Sequence, residues 1–93
     1  MRREGHGFEF MFYTYILRSE KNDQYYVGHS GDLESRGETH NAGKVQSTKY
    51  KRPWRLVYFE LFPTKLEANQ RELEIKKKKS RKYINFLIDN KRE

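Results

Sequence analysis

The sequence predicts a single α+β domain of element order ββαβαα, a small three-stranded, mainly antiparallel sheet flanked by helices. Three observations carry that expectation. Two short aromatic and β-branched runs sit either side of a polar turn cluster, a third such run follows a proline, and the segments after each sheet unit carry helix caps and helical periodicity.

The first strand is the run from Phe12 to Leu17, followed by Glu20-Lys21-Asn22-Asp23 and a second run, Tyr25-Tyr26-Val27, which together make a hairpin. Gly28 and Gly31 interrupt the strand pattern. Asp32 then serves as N-cap of a helix reaching about Asn41, with Gly43 as its stop and Gly37 weakening it by roughly 1 kcal/mol relative to Ala. Residues 44–52 are polar and basic, and Pro53 opens a third strand, Trp54 to Phe62, apolar on much of both faces. Thr64 and Glu67 form a capping box for a helix reaching about Lys78. Ser80 starts the last helix, whose Tyr83, Ile84, Leu87 and Ile88 make one apolar stripe for the sheet.

Length and composition bound the function. Ninety-three residues suit one domain, and 14 aromatics can supply much of its core. Residues 1–10 are expected to be a loose N-terminal arm and residues 11–90 the domain, with Met11 an alternative start. The arm lacks the apolar run of a signal peptide, and no stretch is apolar enough to span a membrane. The absence of cysteine excludes disulfides and thiolate metal sites, so the cytoplasm is the expected compartment. Twenty Lys plus Arg against thirteen Asp plus Glu leave a net charge of +7, which points to a polyanionic partner such as nucleic acid.

Several residues stand out for their chemistry. Leu33, Arg36 and His40 fall on one helical face, which lets Arg36 and His40 point into one cleft. On the helix from Thr64, Glu72 lies between Ala68 and Leu73 or Ile75, so its carboxylate points inward or into a cleft. There it needs a partner or a cation: a hard divalent ion, or Lys76 four residues on. The basic loop residues Lys44, Lys49, Lys51 and Arg52 can track a phosphate backbone, with Ser47 and Thr48 as neutral donors. The run Lys76 to Lys79 can do the same, or be only a solvated face at a helix end.

Tyr15 closes the first strand motif, Tyr13-Thr14-Tyr15, and Tyr26-Val27-Gly28 forms a second, with Arg36 on the next helix and Glu72 on a later one. That order resembles the GIY-YIG family of nucleases, in which the first motif is Gly-Ile/Val-Tyr and the second Tyr-Ile/Val-Gly. Tyr13 and Thr14 replace the Gly and Ile of the first motif. The resemblance covers about Met11 to Ile88, and the tract from His40 to Glu60 makes it similar to the small stand-alone, single-domain members. It implies hydrolysis of DNA, ahead of RNA, with one Mg²⁺ or Mn²⁺ ion on Glu72, a phosphate held by Arg36, and Tyr15, Tyr26, His29 or His40 orienting or deprotonating water. Each residue also has a plainer reading: packing for Tyr15 and Tyr26, an ion pair with Glu38 or Glu60 for Arg36, and a loop or helix-end position for His29 and His40. The rival expectation is a module that keeps the fold, binds nucleic acid and cuts nothing.

Overall fold

The computed structural model describes residues 11–90; the expected arm, 1–10, lies outside them. Seven elements follow in order: β1 (Phe12–Ser19), β2 (Tyr25–Ser30), α1 (Leu33–Asn41), a short 3-10 turn (Lys49–Lys51), β3 (Trp54–Phe62), α2 (Lys65–Lys78) and α3 (Arg81–Asp89). The ββαβαα order stands. The three strands are antiparallel in the order β2-β1-β3, and among the described residues no helix is long and apolar enough to cross a membrane.

Central position explains β1. Thr14, Tyr15, Ile16 and Leu17 are buried in succession because helices cover both faces. On one face Ile16, Val27 and Tyr58 pack with Ile75 of α2 and Leu87 of α3; on the other Tyr15, Leu17 and Trp54 pack with Tyr26 and with Leu33 of α1. The strand expected to be apolar on both faces is instead an edge: β3 leaves Leu56, Phe59 and Leu61 exposed. Gly28 does not end β2 either. The strand continues through Gly28 and His29 to Ser30, in register with Tyr15, Thr14 and Tyr13.

The caps match their side-chain chemistry. The Asp32 carboxylate accepts from the Ser35 N–H, Thr64 Oγ1 from the Glu67 N–H and Ser80 Oγ from the Tyr83 N–H, each satisfying a helix-end donor that would otherwise lack a partner. Gly43, just beyond α1, adopts φ of +79°, a left-handed conformation that favours glycine. Arg71 ties α2 to β3 by donating to both Glu60 oxygens at 3.0 Å, and also pairs with Glu74. This network holds the helix that carries Glu72 against the sheet.

Candidate active site

The site is built around the β2 edge, and Gly28 is the reason it can form. Tyr15 faces Gly28 across the β1–β2 ladder. A Cβ at Gly28 would lie 2.6 Å from the Tyr15 hydroxyl and 2.8 Å from Cζ, so only glycine lets the ring cross the neighbouring strand. Tyr26, on the same face, stacks obliquely with Tyr15 at 6.4 Å and with His40 at 4.8 Å between ring centroids.

Behind Tyr15 runs a buried polar chain. The Tyr15 hydroxyl lies 3.1 Å from His40 Nε2, and His40 Nδ1 lies 2.9 Å from Thr48 Oγ1. Because the Thr48 hydroxyl also reaches the Val45 carbonyl, its natural role is to donate there and accept from His40 Nδ1–H. Nε2 is then left to accept from Tyr15. Burial lowers the His40 pKa from 6.5 to about 4, and the Arg36 guanidinium adds to the fall. Burial likewise pushes the Tyr15 hydroxyl up from 10.0 to about 12; nearby Arg36 opposes the rise, while Tyr26 and Glu72 add to it. Tyr15 is therefore held as a neutral phenol and His40 as a neutral imidazole.

The opposite face supplies the carboxylate. His29 Nδ1 lies 2.6 Å from Glu72 Oε1, and Lys76 Nζ donates to Glu72 Oε2 at 2.5 Å. Glu72 is buried and His29 only partly so, which leaves the imidazole edge open to solvent. Thr14, at a motif position where the family carries an aliphatic residue, donates its hydroxyl to the Ala68 carbonyl at 2.7 Å and so pins α2 one turn before Glu72. The two faces meet beside β2: Lys76 Nζ lies 5.8 Å from the Tyr26 ring centre, and the Glu72 charge is felt at Tyr15.

Two sequence expectations change at this point. His40 does not open into a cleft beside Arg36; it is wholly buried beneath Tyr15, between that hydroxyl and Thr48. Thr48 is not a free phosphate donor, because it is equally buried and bonded to His40. Glu60 pairs with Arg71, and among the described residues neither it nor Glu38 pairs with Arg36, whereas the Glu72–Lys76 pair is present. Of the basic loop, Lys49 and Arg52 line a cleft of about 360 Å³ with Lys21, Asn41, Tyr50 and Pro53; Lys44 and Lys51 do not. The sequence offers Thr14 no partner and suggests phosphate for Thr48, whereas the structure pairs them with Ala68 and His40. Their only signal was a β-branched hydroxyl where an aliphatic or a loop residue would serve, and its meaning depends on partners 54 and 8 residues away.

A divalent ion would find one buried carboxylate here rather than a cage. Among the described residues no group of three or more His, Cys, Asp or Glu side chains is placed to hold a metal ion. The donor set fits a hard ion that keeps most of its waters, as Mg²⁺ does, provided Lys76 gives way at Oε2.

The GIY-YIG catalytic domain family matches residues 11–85. The chain is similar to the UPF0213 protein YazA of Bacillus subtilis, 40% identical over 81 residues that make up 86% of this chain and 80% of that protein. It is also similar to the UPF0213 protein SSP2268 of Staphylococcus saprophyticus, 41% identical over 78 residues, covering 83% and 94%. The solution NMR structure of the UPF0213 protein BH0048 from Bacillus halodurans superposes with a TM-score of 0.55 at 34% identity, covering 87% of this chain and 85% of that one.

Proposed function

The chain belongs to the GIY-YIG family, a nuclease family whose substrate is nucleic acid, and from that premise we propose that it is a divalent-metal-dependent endonuclease acting on DNA. One observation carries the proposal: Tyr15, Arg36, His29 and Glu72, from four different elements, are brought to the two sides of one sheet edge. A divalent ion bound at Glu72 would stabilise charge on the leaving oxygen. Arg36, with no carboxylate among the described residues claiming it, holds the scissile phosphate.

The protonation states divide the remaining labour. With Tyr15 held as a neutral phenol and His40 as a neutral imidazole, Tyr15 orients the attacking water and does not deprotonate it in the resting site. His29 suits proton removal better. Its Nδ1 is held by Glu72 and its side chain is partly exposed, an arrangement in which a carboxylate can set the tautomer of a general base.

The proposal is tested by incubating labelled duplex and branched DNA with the protein in Mg²⁺ or Mn²⁺. Nicking by the wild type, loss of nicking in Arg36→Ala, and a much smaller loss of binding in that variant are the expected results. A second reading, binding without cleavage, draws on the Lys76 ammonium at Glu72 Oε2, which satisfies the carboxylate without an ion. A wild type that binds DNA but never nicks it would establish that reading instead.

A further inference from the structure

The 3-10 turn presents an aromatic ring that the fold does not use. Tyr50 is 70% exposed and packs in neither core cluster; among the described residues its one aromatic interaction is with Lys49, whose Nζ lies 5.0 Å from the ring centre. The backbone beneath it is held unusually firmly. Four successive carbonyls each accept from a side chain: Thr48 from Trp54 Nε1 at 2.9 Å, Lys49 from Arg52 Nε at 2.6 Å, Tyr50 from Lys21 Nζ at 3.1 Å and Lys51 from Ser19 Oγ at 2.6 Å. A ring displayed on so constrained a backbone loses little backbone freedom when a partner settles on it.

The surroundings state what that partner is. Among the described residues Tyr50 shares its cleft with Lys21, Lys49 and Arg52, three cations and no carboxylate. A flat π surface among cations is complementary to a nucleobase flanked by phosphates, the combination by which single strands are bound. We infer that Tyr50 is a stacking platform for an unpaired base, with Lys21, Lys49 and Arg52 holding the adjacent phosphates. The inference rests on the nucleic-acid reading above and deepens it, because a continuous duplex offers no free base face. The preferred substrate therefore contains a single-stranded segment or a frayed junction.

The test is a binding experiment in EDTA, so cleavage does not enter it. A short oligonucleotide carrying 2-aminopurine and a blunt duplex are titrated with the wild type, Tyr50→Phe and Tyr50→Leu. Wild type and Tyr50→Phe should quench the fluorophore. Tyr50→Leu, which keeps apolar bulk but no π face, should bind the single strand at least about tenfold more weakly, lose the quenching and bind the duplex almost unchanged. Its melting temperature should match the wild type, given the exposure of the ring. Equal affinity and quenching in Tyr50→Leu, or equal losses on both substrates, would overturn the inference while leaving nucleic-acid binding intact. A wild type that binds neither substrate removes the nucleic-acid reading with it, and a change confined to sedimentation would make the ring a contact between copies.

Discussion

The Thr14 hydroxyl and the Ala68 carbonyl are 2.7 Å apart inside the sheet–helix interface, joining the central strand to the helix that carries Glu72. Thr14→Val keeps the shape and deletes the donor. Ala68 keeps its place in the helix, so the expected cost is about 1 kcal/mol of stability, the net worth of one buried hydrogen bond. The turnover rate should fall further than that loss accounts for, with substrate affinity unchanged, because the bond fixes α2 one turn before the carboxylate. Denaturant titration and single-turnover nicking measure the two effects separately; a fall in affinity without a fall in rate would contradict the positioning role.

His40 gives a pH signature in stability. Its pKa is near 4 in the folded chain and 6.5 when exposed, so between those values the unfolded chain binds a proton that the folded one does not. Stability is therefore full above about 6.5, falls as pH drops toward 4, and is flat with respect to this group below that. The loss approaches roughly 3 kcal/mol. In His40→Asn the curve between pH 6.5 and 4 should flatten, whatever its absolute height. An unchanged slope in urea midpoints measured across that window would show that another group titrates there.

Glu72→Gln should abolish nicking at every Mg²⁺ or Mn²⁺ concentration while leaving DNA binding in place. Its effect on stability is set by partners the helical pattern only half announces. Because the carboxylate accepts from both His29 and Lys76, it is satisfied rather than strained, and the amide should lower stability by about 1–2 kcal/mol rather than raise it. Lys76→Met gives the complementary result. Freed of its competitor at Oε2, Glu72 should reach half-maximal nicking at lower Mn²⁺. Thermal melts and metal titrations of both variants decide the matter, and an active Glu72→Gln protein would remove Glu72 from the site.

What was legible in the sequence followed local chemistry. The caps at Asp32, Thr64 and Ser80 each depend on a side chain and an amide three residues on, and all were readable. The apolar stripe of the last helix was likewise local. Sheet position was not: the apolar run of β3 matched a two-faced strand, yet among the described residues no strand pairs with its outer edge and β1 occupies the centre, an outcome fixed by pairing partners far along the chain. For the same reason Arg36 and His40 could be placed on one helical face, while the depth at which each ends, one near the surface and one wholly buried, depended on Tyr15 and Thr48 closing over His40.

Gly28 supplies the last prediction, because its role is purely one of space. Tyr15 is 2% exposed and its ring is clamped by Tyr26 and His40, so it cannot withdraw from an added methyl group as a surface side chain would. Gly28→Ala places Cβ 2.6 Å from the hydroxyl, 2.8 Å from Cζ and 3.1 Å from Tyr26 Cε2. Either the ring or strand β2 must move, at a cost of about 1–3 kcal/mol. Movement of the ring breaks the bond to His40 and displaces the phenol proposed to orient water, so nicking should fall well beyond the level of Tyr15→Phe, which loses the hydroxyl without displacing anything. Tyr15→Phe should not restore the stability of Gly28→Ala, since the contact with Cζ persists, whereas Tyr15→Leu should recover part of it. Full rescue by Tyr15→Phe in paired melting experiments would mean that the hydroxyl alone, and not the passage of the ring over the strand, demands glycine at this position.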